Sequence, residues 1–268
     1  IDKMVANIPY SSKKDSDLFE KESLTLHKDT PVFDGQLSNR CYMDAVKHAF
    51  IDFRKKAVKW DRYNPEKDEI ITDQWARIVV HLPYAFQGKR MFPDIFMLDR
   101  ENSGITDEII REIGEDPSKQ IDQSAVNDSI EQEKLKNDYR RLISKTSQYQ
   151  KFIADKIEKT QKASSLVGNQ YTGSIFLALM STLEIDLNEG IDLKGRKIGF
   201  CAYGSGSKSK VFQGVVQNDW IKIAEKFNLF LRLDNRTSID SKTYEALHRG
   251  HQKQSVIKPS NEFVLENI

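Results

Sequence analysis

The chain has 268 residues, 30% charged and 38% in the hydrophobic class, the proportions of one large soluble domain or one large piece of a longer protein. Its 41 basic residues against 40 acidic ones leave a formal charge of +1, so no global attraction to nucleic acid or to an anionic membrane is expected. No apolar run approaches the roughly 18 residues of a membrane-spanning helix. The two cysteines, Cys41 and Cys201, lie far apart with no CxxC pair, which argues against a disulfide framework or a metal site and for a reducing cytoplasm.

The opening Ile1-Asp2-Lys3-Met4 lacks both an initiator methionine and a signal-like basic-then-apolar leader, as expected of an excised or cloned segment. Residues 1–33 are polar, broken by Pro9 and Ser11-Ser12-Lys13-Lys14, and are read as an irregular lead-in to a domain over 34–268. After Asp34-Gly35, the spacing of Tyr42, Ala45, Val46, Ala49, Phe50 and Phe53 predicts a helix, with Ser38 as its cap. Pro65 separates it from Ala76-Arg77-Ile78-Val79-Val80-His81, a β-branched apolar run predicted as a buried strand ending at His81, because Pro83 follows. Residues 84–98 are predicted as helix, disturbed or broken at Pro93.

Residues 105–165 are charged and almost without aromatics. From Ser129 to Lys162, apolar positions such as Leu135, Tyr139, Leu142, Tyr149, Phe152 and Ile157 predict a long amphipathic helix. The spacing is not a sustained heptad, so a surface helix packed on its own domain is favoured over a partner-binding coiled coil. Val167-Gly168-Asn169-Gln170-Tyr171-Thr172-Gly173-Ser174 then leads into Ile175–Met180, apolar nearly all round and expected to be central and buried. Lys197–Tyr203 reads as a buried strand running into Gly204-Ser205-Gly206-Ser207, with a return strand over Lys210–Val216. Helices through Trp220–Ala224 and Tyr244–Leu247 precede a short terminal strand at Phe263-Val264-Leu265. Helices alternating with short strands indicate an α/β layered fold, helices packed around a mixed sheet.

Three residues stand where chemistry could be placed. His81, at a strand end before a turn, is either a satisfied polar residue or an imidazole facing a cleft. Asn169, beside Gly168 and just before a helix, is either an N-cap or an amide aimed at a developing oxyanion. Ser205 sits in a Gly-Ser-Gly turn whose backbone N–H groups can meet an anion or a carbonyl oxygen. That turn lacks the GK[ST] of a phosphate loop and the frame of a GxSxG elbow. Cys41, inside a helix, and Cys201, inside an apolar strand, read as inert core residues. Lys89 and Arg90 are either a solvated face or, beside a cleft, a phosphate clamp.

Four blocks, in order, carry a resemblance. Phe33-Asp34-Gly35-Gln36-Leu37-Ser38-Asn39-Arg40-Cys41-Tyr42 resembles the "DGxxSxxCY" stretch of hydroxymethylglutaryl-CoA synthases, and His81-Leu82-Pro83-Tyr84 their His-x-Pro-Tyr/Phe segment. Val167–Ser174 is similar to their "GNxYTxS" helix entrance, and Tyr203-Gly204-Ser205-Gly206 to their "YGSG" turn. The resemblance runs from about residue 17 to the C-terminus.

It implies the C-terminal half of a thiolase-like fold and an acyltransferase that condenses acetyl-CoA with acetoacetyl-CoA through an acetyl-cysteine. His81 would then anchor and polarise the acetoacetyl group, with Asn169, Ser38 and Ser205 binding substrate. Lys89 and Arg90 would hold coenzyme A phosphates, since Phe86 stands where many members carry lysine. No metal and no cofactor beyond coenzyme A thioesters is implied. The partners implied are an N-terminal half that supplies the nucleophilic Cys and an acid/base Glu, and a second copy in a homodimer. Acting alone, the chain is expected to be inactive. A ketoacyl-synthase-like condensing enzyme is the competing enzyme class, against which the first and last blocks argue. A non-catalytic interaction module built on 105–165 is the alternative outside enzymology.

Overall fold

Among the described residues, the alternation in the sequence is realised as a three-stranded sheet with helices on both faces. The computed structural model describes residues 34–60, 62–64, 70–120, 126–204, 207–258 and 260, with 126–130 described in backbone only. The lead-in over 1–33, Pro65, Ser205 and the terminal strand at Phe263-Val264-Leu265 lie outside the described residues.

Helix α1 spans Gly35–Lys59, and the short α2, Ile71–Gln74, runs directly into strand β1, Trp75–Val80. Helices α3 (Gln87–Met91) and α4 (Pro93–Asp99) follow, with Pro93 opening the second, so the proline splits the predicted helix as its missing N–H requires. Then come α5 (Gly104–Ile113), α6 (Val126–Ile143), α7 (Ser147–Lys156) and α8 (Glu158–Val167). A 3₁₀ turn at Tyr171–Gly173 leads into α9, Ser174–Asn188. The hairpin of β2 (Lys197–Gly204) and β3 (Lys208–Val215) and the short α10 (Trp220–Ala224) complete the first compact unit, which ends at Leu229. A second unit, from Phe230, carries most of α11 (Leu229–Asp234) and all of α12 (Ser241–His248). In α12 the Asp240 carboxylate caps the helix by accepting from the Thr243 N–H at 2.7 Å.

Strand order is β1-β2-β3, with β1 parallel to β2 and β2 antiparallel to β3. Helix α1 packs on β2 and β3, while α7, α8 and α9 pack on β1. One irregularity sets which residue faces which layer. Trp75 pairs with Lys197, but Arg77 pairs with the very next residue, Ile198, so Ala76 is an extra residue in a bulge. Trp75 therefore turns toward α1, its ring centroid 6.2 Å from Phe50 and 5.8 Å from Phe53. Its indole lies across Gly199 and donates to Gln213 Oε1 on β3 at 2.8 Å. A Cβ on Gly199 would sit 2.1 Å from that ring, which is why glycine stands there.

Arg77 turns to the opposite layer. Its guanidinium grips Asp186 of α9 through two bonds, Nε to Oδ2 at 2.9 Å and Nη2 to Oδ1 at 2.7 Å. The Asp186 side chain is wholly buried and that of Arg77 is 6% exposed. Lys159 of α8 reaches the same carboxylate at 2.6 Å, and Arg77 Nη1 donates to the Asp155 carbonyl of α7 at 3.1 Å. Three helices are thus tied to one strand through one buried charge cluster.

Several expectations are corrected. Asp34, not Ser38, caps α1, accepting from the N–H groups of Gln36 at 2.9 Å and Leu37 at 3.0 Å; Ser38 lies one turn inside. The long helix over 129–162 is broken twice. Thr146 leaves the helix and caps α7, and Ile157 has non-helical backbone at the start of α8. These helices do pack on their own domain, burying Tyr149, Phe152, Ile153 and Ile157. Helix α9 is not buried all round: Phe176 is 64% exposed. Its buried residues are small or polar, with Ser181 Oγ donating to the Lys159 carbonyl at 2.7 Å and accepting from the Ala163 N–H at 3.2 Å. Close helix–helix approach selects those residues over the leucines.

Removing one partner of the buried pair should be costly, because the other charge is left dry and unpaired. Asp186→Ala is expected to destabilise the chain by about 3–5 kcal/mol in urea unfolding, and the paired replacement Arg77→Met with Asp186→Leu to recover most of that loss. Gly199→Ala, which forces a methyl group into the Trp75 ring, should cost at least about 1–3 kcal/mol in the same measurement.

Candidate functional site

Strand β1 ends at Val80, and His81 is the first residue beyond it, its N–H still in the ladder to the Cys201 carbonyl at 3.0 Å. The predicted strand, Ala76–His81, is shifted by one residue from the observed Trp75–Val80, but the placement of His81 at its carboxyl end holds. Parallel β1 and β2 both end on this side, so His81 and Gly204, the last residue of β2, lie at the same end of the sheet. Crevices outside the carboxyl ends of parallel strands are where α/β folds bind ligands.

The backbone of His81 and Leu82 is fully engaged. Tyr42 Oη, from the buried face of α1, donates to the His81 carbonyl at 2.5 Å. Ser174 Oγ, at the first residue of α9, accepts from the Leu82 N–H at 2.7 Å and donates to the Leu82 carbonyl at 2.9 Å. Burial raises the Tyr42 hydroxyl well above the usual phenol range, so it stays protonated and remains a donor. The imidazole itself makes no hydrogen bond among the described residues. It sits in an aromatic corner, 6.2 Å from the rings of both Tyr42 and Tyr203. Burial lowers its pKa below 6.5, so the ring is neutral near pH 7.

Through Ser174, the segment containing Asn169 is fastened to the same end. Asn169 is exposed and does not cap α9, whose cap position is Gly173. Its Oδ1 instead accepts from the Tyr171 N–H at 2.7 Å, in a turn where Tyr171 takes φ of 47° and Gly168 φ of 87°. A non-glycine residue held at positive φ is a local strain of the kind that collects at functional sites. With its oxygen used, Asn169 keeps its NH₂ to donate, and no described residue accepts it. Ser38 lies one helical turn before Tyr42 on α1, hence on the same side of that helix.

Lys89 and Arg90 open onto a cleft of about 810 Å³ between the start of α1, α3, α6 and α7. Tyr84, three residues after His81, lines it too, and Arg90 Nη1 donates to Tyr84 Oη at 3.3 Å. Arg140, also in the wall, is spent on Asp94, with bonds of 2.7 and 2.9 Å. Lys89 has only a distant carboxylate, Glu158 at 3.9 Å, and Arg90 has none within ion-pair range among the described residues. Phe86 is 64% exposed. Cys201 is buried beneath α1 with its thiol pushed up to about 12, and Cys41 lies in α1, so neither is presented as a nucleophile. His48, His248 and His251 are surface residues as expected, and His27 lies outside the described residues.

Two contributors escaped the sequence. Tyr42 read as one more member of an apolar helical stripe, and Ser174 as the last letter of a motif. Pairing across 39 and 92 residues leaves no trace in a single chain.

The family model of the hydroxymethylglutaryl-coenzyme A synthase C terminal matches residues 16–265. The chain is 28% identical to the hydroxymethylglutaryl-CoA synthase of Haloferax volcanii, covering 91% of this chain and 53% of that protein. It is 27% identical to the Schizosaccharomyces pombe enzyme of the same name, covering 88% and 50%. It spans about half the length of the curated relatives it matches. Among solved structures, MvaS in complex with 3-hydroxy-3-methylglutaryl coenzyme A superposes with a TM-score of 0.60 at 22% identity, over 88% of this chain and 48% of that one. PksG, an HMG-CoA synthase from Bacillus subtilis, gives 0.54 at 19%, over 83% and 41%. The fold is that of these thiolase-like proteins.

The state of His81 is directly measurable. Because its folded pKa is depressed, the unfolded chain binds the extra proton more readily, and stability contributed by the neutral ring is present above 6.5 and lost as pH falls through the folded value. NMR titration should place the His81 midpoint below 6.5, and wild type should lose stability relative to His81→Asn as pH descends through that range.

Proposed function

This chain belongs to the hydroxymethylglutaryl-coenzyme A synthase C-terminal family, and we propose that it is the acceptor-holding half of an acyltransferase condensing acetyl-CoA with acetoacetyl-CoA to 3-hydroxy-3-methylglutaryl-CoA. The observation that carries the reading is the gathering of His81, the end of β2 at Gly204, and the Asn169 segment fastened to Leu82 through Ser174. In this reading the neutral imidazole donates to the ketone oxygen of the acetoacetyl group. The donation strengthens as the new carbon–carbon bond turns that oxygen into an alkoxide. The NH₂ of Asn169 holds the same group, the backbone N–H of Ser205 meets a thioester oxygen, and Ser38 touches substrate from the first turns of α1. Lys89 and Arg90 hold coenzyme A phosphates in the cleft.

The covalent step belongs elsewhere in this proposal. The acetyl group rides on a cysteine, and a glutamate moves its proton, both in the family's N-terminal half. The domain over 34–268 then works with that half and as a homodimer in the cytoplasm, with coenzyme A thioesters as its only small-molecule partners. A buried thiol at about 12 has no thiolate to offer near neutral pH, which supports a nucleophile outside this chain.

The 268-residue chain alone should turn over no acetoacetyl-CoA; turnover abolished by Cys41→Ala or Cys201→Ala would overturn the division of labour. Assembled with an N-terminal half, His81→Ala should slow condensation by roughly 10²–10³ and leave acetyl transfer nearly intact. Arg90→Ala should remove a charge-assisted hydrogen bond worth about 1.5–3 kcal/mol, about tenfold to a hundredfold in affinity for coenzyme A thioesters. The loss should fall on KM rather than kcat. Dephospho-coenzyme A thioesters tell which phosphate is held: weaker binding to wild type but not to Arg90→Ala assigns the 3′-phosphate to Arg90.

A further inference from the structure

A residue at a strand end can be held by the sheet ladder alone. His81 is held differently, and the difference is specific. One backbone polar group of the His81-Leu82 pair, the His81 N–H, belongs to the ladder with β2. The other three are taken by two side chains from separate elements, Tyr42 of α1 and Ser174 of α9. Ser174 is 1% exposed and its hydroxyl both accepts from and donates to the same residue, Leu82, so its hydrogen-bonding capacity is used in closing this junction. Pro83 follows with no N–H to satisfy.

We propose that Tyr42 and Ser174 are positioning residues, a two-sided clamp that fixes the His81 backbone so that its imidazole stays aimed at the substrate without any bond to the ring itself. A hydrogen bond to the ring would compete with substrate for the N–H. A clamp on the peptide leaves both ring nitrogens available while removing the freedom of the chain that carries them. Tyr42 also limits the ring directly, since its own ring packs edge-on against Tyr203 at 4.5 Å and the two flank the imidazole. The same hydroxyl of Ser174 ties the helix bearing the Asn169 turn to the His81 junction, so the two substrate-facing segments are set relative to each other by one oxygen. This inference rests on the role given to His81 above.

The test separates the two. In the full 268-residue chain, His81 ring resonances and Leu82 amide exchange are recorded for wild type, Tyr42→Phe, Ser174→Ala and, as a control in α5, Ile109→Val. Tyr42→Phe preserves shape and packing, so it stays informative if Ser174→Ala folds poorly. The clamp predicts shifted or broadened His81 ring signals in Tyr42→Phe, at least tenfold faster Leu82 exchange in Ser174→Ala, and wild-type behaviour in Ile109→Val. Unchanged His81 signals in Tyr42→Phe would overturn it. Acetoacetyl-CoA affinity then closes a cycle: Tyr42→Phe should weaken binding about tenfold when His81 is present and not at all in the His81→Ala background, a coupling of about 1.4 kcal/mol. Additive losses mean that Tyr42 is merely structural. If His81→Ala leaves affinity untouched while the ring signals still respond to Tyr42→Phe, the clamp stands and the substrate role of His81 falls.

Discussion

A single carboxylate, Asp186, organises the half of the molecule that carries His81. It lies without solvent contact against the guanidinium of Arg77 and the ammonium of Lys159, so two cations from different elements compensate one buried anion. Stripping three charges of water is expensive, and the cluster persists only because its geometry is paired and bidentate. The gain is in specification rather than in raw stability: an apolar contact would tolerate sliding of β1 along α9, whereas a forked ion pair admits one register. Since β1 ends at Val80, just before His81, and α9 begins at Ser174, fixing the two elements at Arg77 and Asp186 also fixes what meets at their other ends.

From that register follows the division between rigid and adaptable parts. The junction at His81 has its backbone satisfied and its ring unengaged, whereas the turn over Gly168–Gly173 is exposed and carries Tyr171 at positive φ. A second buried carboxylate does similar work at the other end of β1. Asp99 accepts from the N–H groups of Ile71 and Thr72 at 3.3 and 2.8 Å, and so serves as a distant cap for a helix whose own cap position is an isoleucine. Burial raises the Asp99 pKa despite those bonds. Arg100 completes this corner, stacked 4.3 Å over Phe96 and bonded to Thr72 Oγ1 at 3.0 Å. The strand that presents His81 is thus pinned at both ends by groups that belong to no regular hydrogen-bond ladder.

Much of this is legible in the sequence alone, for reasons that differ by element. Helix α1 and strands β1 and β2 declare themselves because they show a helical apolar spacing or a short apolar run with Gly or Pro nearby, although the cap of α1 is Asp34 and not the expected Ser38. His81 was readable because a β-branched run stopped at a proline. The break at Ile157 was not, because nothing in Lys156-Ile157-Glu158 forbids a helix; the turn exists because α7 and α8 must both reach β1. The inward-facing polar side of α9 was equally opaque. Hydrophobicity assigns Leu and Phe to a core, but packing against α8 selects by size and by hydrogen bonding to its backbone, and Ser181 wins on both. Asn169 showed the limit of a capping rule. Its oxygen does satisfy a backbone N–H two residues on, but in a 3₁₀ turn ahead of the helix rather than at the helix itself.

The extra residue at Ala76 has an implication for how this family's sequences can drift. In a regular strand, residues two apart share a face, so Trp75 and Arg77 would compete for the same layer. The bulge lets them serve opposite layers from adjoining positions. Loss of Ala76 would make Trp75 and Arg77 consecutive residues on opposite faces of a regular strand, in the pairing with Lys197 and Ile198 that they already have, so a deletion at this point leaves both layers intact. Length is therefore freer at this point than further along the strand, where removing a residue between Ile78 and Val80 would turn the side chains beyond it to the opposite face.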